Sequence, residues 1–335
     1  MFTGAIMSVQ SVIDRLAPWY VSQADAVSFL DSLPNDSVDL LVTSPPYEKA
    51  RTYGLSDALP GGQQWVDWMV AVVRAAAPKV NGLIAINCEG QTRKYKYSGA
   101  PFLLMADLHR AGFNLRKPVV FHRVGIPGSG GPDWLRNDWE PVVCVTRAGR
   151  LPWSDPTACG KPPKCAPGGE ISHRTVSGKR INRVKVNSIR SQRGGVERKV
   201  AEAFAKQSDM PPGTKLHTKD NGKGEMRTQL YIPPEFANPG NVLHCNVGGG
   251  RMGSPLAHEN EAPFPLKLAE FFVKSFCPPG GIVCDPFSGS GTTCHAAVEN
   301  GRRFVGCDLR QTQVDLTIRR ARCVVPSMLE MAEAT

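Results

Sequence analysis

The sequence predicts an α/β protein built on a doubly wound, mostly parallel sheet, interrupted by a long basic insertion. Three observations carry this. Short apolar, β-branched runs alternate with helical patterns before residue 150 and again after residue 265, the rhythm of strands and crossover helices in a sheet covered on both faces. Between Leu151 and Leu230 that rhythm dissolves, and 16 Lys/Arg stand against 7 Asp/Glu. Most of the formal charge of +10 therefore lies in that one stretch, as expected of a surface that grips a polyanion.

The elements follow in order. Residues 1–20 hold little beyond a short amphipathic start. Asp25 opens a helical turn or two in which Val27, Leu30 and Leu33 recur at helical spacing. After the turn Asn35-Asp36-Ser37, the run Val38-Asp39-Leu40-Leu41-Val42 reads as a buried strand, stopped by Pro45 and Pro46. Residues 48–63 are polar and Gly-rich, a loop. Gln64 to Ala77 carries Trp65, Trp68, Met69, Val72 and Val73 on one broad helical face. Leu83–Ile86 is the next buried strand, Pro101–Arg110 a helix, and strands follow near Val119–Phe121 and Val142–Val145. From Leu151 to about Val247 only Val196–Lys206 has a helical pattern, and so long an irregular stretch in an α/β protein is functional or disordered. The rhythm resumes with a helix from Leu266 to Phe276, a strand Ile282–Asp285, a loop Pro286–Ser290 and a helix Gly291–Asn300. A strand Phe304–Asp308 and a helix Gln311–Arg322 complete it.

Composition sets bounds. At 335 residues and 41% hydrophobic content, a sizeable core is expected. No apolar run reaches the roughly 18–20 residues of a membrane span, and the N-terminus has no basic segment of a secretory signal, so a cytoplasmic location is the default. The ten cysteines are scattered, several within apolar strands (Cys144, Cys284, Cys307), which favours reduced, buried thiols over disulfides. Cys159, Cys165 and His173 fit no usual zinc spacing, and no metal is expected.

Two strand ends carry the chemistry. In Thr43-Ser44-Pro45-Pro46-Tyr47 each proline fixes its own φ and extends the residue before it. A hydroxyl, neighbouring carbonyls and an aromatic ring are thereby held ready to grip a flat polar group by edge and face. The alternative is a Pro-rich turn and nothing more. The second site, Asp285-Pro286-Phe287-Ser288-Gly289-Ser290-Gly291-Thr292-Thr293, lies between a strand and a helix, where open α/β sheets bind ligands. Its glycines admit close backbone approach and the helix start offers free N–H groups. Asp308 ends the next strand, where an acid can meet a ribose diol. The spacing matches neither GxGxxG nor a P-loop.

Together these residues resemble the S-adenosylmethionine-dependent amino-methyltransferases of DNA, over roughly residues 20–150 and 255–325. Thr43 to Tyr47 is similar to that family's (D/N/S)PP(Y/F) catalytic motif, Asp285 to Thr293 to its methionine-binding loop, and Gly301 to Asp308 to its ribose-binding strand. The order, catalytic motif first, is similar to the β class. The resemblance implies a Rossmann-like methyltransferase fold in which residues 20–150 form the catalytic half, 151–250 a target-recognition region and 251–325 the cofactor half. It implies catalytic roles for Ser44, Pro45, Pro46 and Tyr47. Asp25 would meet the cofactor adenine, although the family has Gly where Ala24 stands. His258 and Pro265, with Thr43, would line the cofactor pocket, although the family's tighter His-Pro pairing is here His258-Glu259. Arg174, Lys179, Arg180, Arg183, Lys185, Arg190 and Arg193 would hold duplex DNA.

The expected reaction moves a methyl group to an exocyclic base amine. That amine is a poor nucleophile until acceptors such as Ser44 Oγ and the Pro45 carbonyl draw it towards tetrahedral geometry while Tyr47 stacks on the base. A base inside a duplex cannot reach such a pocket, so flipping is implied. By resemblance, Ser at the first motif position favours N4 of cytosine, with N6 of adenine the alternative. Methylation at cytosine C5 needs a thiolate, usually after proline, and no cysteine here follows one. An RNA or protein-glutamine methyltransferase and a non-catalytic DNA-binding module are the rivals from other classes. Any restriction nuclease would be a separate chain, and the sequence leaves open whether the protein is a monomer or a homodimer.

Overall fold

The computed structural model describes residues 8–48, 61–125, 130–147, 149–162, 172–174, 180–182, 215–220, 226–231, 235–247, 255–259 and 265–333. It divides into two compact units. One comprises residues 1–159 and 239–335, the other residues 160–238.

The first unit is a nine-stranded mixed sheet. Its eight main strands are β1 (Trp19–Gln23), β2 (Val38–Thr43), β3 (Val80–Asn87), β4 (Val119–Val124), β5 (Trp139–Thr146), β6 (Val242–Asn246), β7 (Ile282–Asp285) and β8 (Arg303–Asp308). The helices are α1 (Val9–Ile13), α2 (Ala26–Ser32), α3 (Gln63–Ala76), α4 (Ala100–Arg110), α5 (Leu266–Phe276), α6 (Thr292–Glu299) and α7 (Gln311–Glu333). The sheet order is β1-β8-β7-β2-β3-β5-β4-β6, with the short strand Asn114–Leu115 beside β5. All neighbours are parallel except β5, which runs against β3 and β4.

The alternation of side chains along the strands builds a core on each face. Leu40, Val42, Leu83, Val283 and Phe304 face α5 and α6, through Leu268, Phe272, Cys294 and Ala297. Leu41, Ile84, Ile86, Cys284 and Val305 face α2, α3 and α4, through Leu30, Trp65, Met69, Val73 and Leu104. Each large side chain buried in this way contributes about 2 kcal/mol of transfer free energy. Helix α3 shows why these residues form a helix here: Trp65, Val66, Met69, Val72, Val73 and Ala76 are buried at i, i+3, i+4 spacing.

Where the sequence and the fold differ, the reasons are local. No strand is expected at β1, where the sequence shows only a short amphipathic start over residues 1–20. β1 is an edge strand whose burial merely alternates, so its apolar signal is thin. β6 lies in a stretch expected to be irregular, yet it pairs in parallel with β4 from Val242 to Asn246. Alternate burial and Pro/Gly-rich flanks hid it. The main unit accordingly resumes at Pro239, ahead of Pro265. Helix α7 runs past Arg322 to Glu333. The helix expected at 196–206 lies outside the described residues. In the second unit Ser172–Arg174 pairs with Arg180–Asn182, and Lys215–Asp220 with Met226–Tyr231, as two antiparallel ribbons. No helix among the described residues is long and apolar enough to cross a membrane.

Candidate active site

Adjacent strands β2 and β7 run in parallel, Leu40 beside Val283 and Leu41 beside Cys284. From β2 the chain goes on through α3 to β3 on one side, and from β7 through α6 to β8 on the other. Their C-terminal ends therefore frame the switch point at which open α/β sheets form a crevice. The two loops that the sequence singles out leave from these two strand ends and are tied together there. Thr43 Oγ1 donates to Asp285 Oδ1 at 2.6 Å. Thr293 Oγ1, in the first turn of α6, donates to Asp285 Oδ2 at 2.6 Å. The Phe287 N–H donates to Asp285 Oδ1 at 3.0 Å. Burial pushes the Asp285 carboxyl up to about 6 against the pull of these donors. Asp285 is thus the knot that joins the two loops.

The glycine-rich loop is shaped for close backbone approach. Gly291 has φ +73°, and a Cβ there would meet Thr317 Cα at 2.9 Å. Only glycine fits. Thr317 Oγ1 donates to the Gly289 carbonyl at 3.2 Å, and the Gly289 N–H donates to Asp308 Oδ2 at 3.0 Å. Arg320 of α7 reaches in from below, donating to Thr292 Oγ1 at 2.9 Å and to the Ser290 carbonyl at 3.3 Å. Burial draws that guanidinium down to about 10. At the end of β8, Asp308 pairs in register with Gln23 of β1. Asp25, two residues after Gln23, caps α2, its Oδ1 accepting from the N–H groups of Val27 and Ser28. Asp25, Asp308 and Asp285 all lie near enough to add to the burial that pushes the Cys307 thiol up. One acid-lined end of the sheet thus offers carboxylates for hydroxyls and amines, beside the first N–H groups of α6, which no side chain caps, for an anion. A zwitterionic nucleoside such as S-adenosylmethionine fits this donor set.

The Ser44 loop is braced from three sides. Trp65 Nε1 of α3 donates to the Pro46 carbonyl at 2.9 Å. Glu48, buried, accepts from the Gly62 N–H at 2.6 Å and the Gln91 N–H at 2.9 Å. Tyr47 Oη donates to Glu140 Oε2 of β5 at 2.7 Å. Asn87 Nδ2, at the end of β3, donates to both Tyr47 Oη and Glu140 Oε2 at 2.8 Å. Glu140 Oε1 in turn pairs with Arg123 at 3.1 Å. Burial, reinforced by Glu140, holds the Tyr47 phenol far above its ordinary pKa, so it stays a neutral donor. Ser44 Oγ donates to Tyr47 Oη over a long 3.4 Å. A carboxylate can only accept, so the chain of donors runs from Ser44 through Tyr47 to Glu140. At 3.4 Å the Ser44–Tyr47 contact is weak, and Ser44 Oγ keeps lone pairs that can accept.

A family model described as DNA methylase, for N6/N4 methyltransferases, matches residues 38–319. The chain belongs to the DNA methylase family. Among relatives of this DNA methylase, the DNA adenine methyltransferase YhdJ of Escherichia coli K12 is 36% identical over 90% of this chain and 81% of its own length. The type II methyltransferase M.SfiI of Streptomyces fimbriatus is 24% identical, covering 86% of this chain and 87% of its own. Among solved structures, the cytosine-N4-specific PvuII DNA methyltransferase superposes with a TM-score of 0.58 at 17% identity, covering 91% of this chain and 86% of that one. The fold is the Rossmann-like methyltransferase fold, and the family is S-adenosylmethionine-dependent.

In this methylase the fold brings Thr43, Ser44, Pro45, Pro46 and Tyr47, Asp285 to Thr293, Asp308 and Asp25 to the C-terminal ends of four adjacent parallel strands. Pro286, Phe287 and Ser288 lie in the loop itself, where the Phe287 ring meets Trp68 edge-on at 5.5 Å. Pro265 is buried at the N-cap of α5. His258 sits in a 3₁₀ turn, Pro255–Glu259, whose described part does not include its side chain. Arg174 and Arg180 lie on a ribbon of the second unit with only their backbone described. Lys179, Arg183, Lys185, Arg190 and Arg193 lie outside the described residues, as does Cys165. Glu48, Trp65, Asn87, Glu140 and Arg320 were not expected at the site. Glu140, a lone acid in the apolar run of β5 (Trp139–Thr146), was the one signal available, since a buried carboxylate requires partners.

Proposed function

We propose that this DNA methylase transfers a methyl group from S-adenosylmethionine to the exocyclic N4 amine of a cytosine drawn out of duplex DNA. The observation that supports it best is the Ser44 hydroxyl, an acceptor on the loop that Thr43 ties to Asp285 at the start of the glycine-rich loop. When bound, S-adenosylmethionine supplies an electrophilic methyl group on a sulfonium. The glycine-rich loop, Asp308 and Asp25 would hold its amino-acid and nucleoside ends, with Thr43, His258 and Pro265 lining the pocket. Ser44 Oγ and the Pro45 carbonyl accept the two amine hydrogens, bend the nitrogen towards tetrahedral geometry and aim its lone pair. Transfer would form the N–C bond as the methyl–sulfur bond breaks, leaving a neutral thioether, and the amine would release one proton to solvent. Tyr47 and the stiff prolines hold the base plane in line with the methyl group.

Asn87 Oδ1 is buried without a partner among the described residues. An orphaned acceptor at this place favours a ligand that brings N–H groups. The Cys88 thiol, close enough to act on Tyr47, is fully buried and its pKa is pushed well up, which disfavours C5 chemistry. Residues 151–250, and within them the basic side chains from Arg174 to Arg193, would grip the DNA phosphates. The 36% identical adenine methyltransferase favours a second reading, transfer to N6 of adenine.

Mass spectrometry of nucleosides from DNA incubated with the protein separates the two. N4-methylcytosine is expected. N6-methyladenine without N4-methylcytosine overturns the first reading and establishes the second. Ser44→Ala is expected to lower turnover at least 100-fold, on the scale of removing one oxyanion-type donor, with cofactor affinity little changed.

A further inference from the structure

A small hairpin beside the active site has chemistry that catalysis does not use. Directly after β3, Thr92–Arg93 pairs with Lys96–Tyr97, and the two-residue tip is Lys94-Tyr95. Both tip residues have positive φ, +46° and +63°. Tight hairpins take this conformation most readily with Asn-Gly, because a side chain there is strained. Strain retained at an exposed position points to a use for the side chains. Here Tyr95 is 80% exposed and stands among Arg93, Lys94 and Lys96, all exposed.

The base of the hairpin is fixed rigidly to the catalytic loop. Gln91 and Ser98 close it through a 2.9 Å backbone bond from the Ser98 N–H to the Gln91 carbonyl. Glu48, next after Tyr47, accepts the Gln91 N–H. Tyr97 Oη donates to Glu89 Oε1 at 2.6 Å, and Asn137 Nδ2 donates to Glu89 Oε2 at 3.3 Å. Asn137 belongs to the loop that carries Trp134 and Leu135, both nearly fully exposed. Glu89 thus ties the base of the hairpin to the loop of Asn137, while the hairpin tip presents Tyr95 among exposed cations. An exposed aromatic ring flanked by cations fits a polyanion whose bases can be stacked upon.

We propose that the hairpin 92–97 is a DNA-contacting finger: Arg93, Lys94 and Lys96 engage phosphates next to the target, and Tyr95 stacks on the bases exposed where the target nucleotide leaves the duplex. This rests on the reading of the Ser44 loop as the point of methyl transfer to a flipped base.

The test measures binding of fluorescein-labelled genomic duplex fragments across a salt series, with methyl transfer and cofactor binding measured alongside. Three changes are compared with wild type: Tyr95→Ala, the pair Lys94→Ala with Lys96→Ala, and the pair Lys94→Asn with Tyr95→Gly, which suits the turn. Tyr95→Ala should raise the Kd or KM for DNA about tenfold with cofactor affinity unchanged. The double lysine change should lower the slope of log K against log salt by about 1 to 2. The Asn-Gly pair should melt at or above the wild-type temperature and still bind DNA more weakly, which separates a direct role in binding from folding. Wild-type affinity and salt slope in all three overturn the finger. Ser44→Ala with wild-type turnover would instead overturn the reading of the site, and the binding results for the hairpin would be unaffected.

Discussion

Exchanging the Glu140 carboxylate for an amide of the same shape tests what orients Ser44. Glutamine can turn its N–H₂ towards Tyr47, which would then direct its proton at Ser44 and occupy a lone pair meant for the amine. Glu140→Gln should therefore lower kcat about tenfold or more while leaving the Kd for S-adenosylmethionine unchanged, and Tyr47→Phe added to it should cost little further. Additive losses in that double variant would contradict a shared chain. Asp285 offers a second test, in pH. Its folded pKa of about 6 lies above the ordinary 3.8 because of burial. Between those values the folded state holds the proton that the unfolded state has released, so stability falls as pH rises through this window and is level above it. The fall is on the order of 3 kcal/mol. Asp285→Asn should lack it, which thermal melts from about pH 4 to pH 7 would detect. At this scale the sequence exposed the residues that break a pattern, such as Ser44 before two prolines. Asn87 escaped because it is an ordinary polar residue near a strand end, and Glu140, a lone acid in an apolar run, because its partners lie far away in sequence.

Helix α3 shows what a single element adds. Its buried face was legible from spacing, because burial and periodicity are one signal. That Trp65 also carries the Pro46 carbonyl was not, because the direction of an indole N–H depends on where the β2 loop arrives. Trp65→Phe keeps most of the packing and removes that bond. It should lower the unfolding free energy by about 1 kcal/mol and reduce kcat by loosening the loop, both readable from denaturant unfolding and steady-state kinetics. Unchanged kinetics would show that the prolines alone set the loop. The strands were legible in proportion to their burial. β2, β3, β7 and β8 are buried nearly throughout and stand out as apolar runs, whereas β1 and β6 alternate and do not.

For the whole molecule, the compact unit 160–238 and the sheet carry separate charges and separate tasks in the proposed reaction. Replacing Arg183, Lys185, Arg190 and Arg193 by Gln should weaken binding to duplex DNA and reduce its salt dependence by about 1 in slope for each phosphate no longer neutralised. Cofactor binding, a property of the sheet, should not change, and calorimetry with S-adenosylmethionine checks that. The sequence by itself determined the α/β class, the two loops and their order, and the basic stretch between them, because periodicity, proline stiffness, glycine freedom and charge are properties of local sequence. The tertiary structure alone decided that Thr43 and Asp285, 242 positions apart, share a hydrogen bond. It alone decided that Glu140 meets the Tyr47 hydroxyl next to Ser44. Both depend on strand order and register, which arise when parallel strands distant in sequence pack side by side and a single antiparallel strand turns its carboxylate into the crevice.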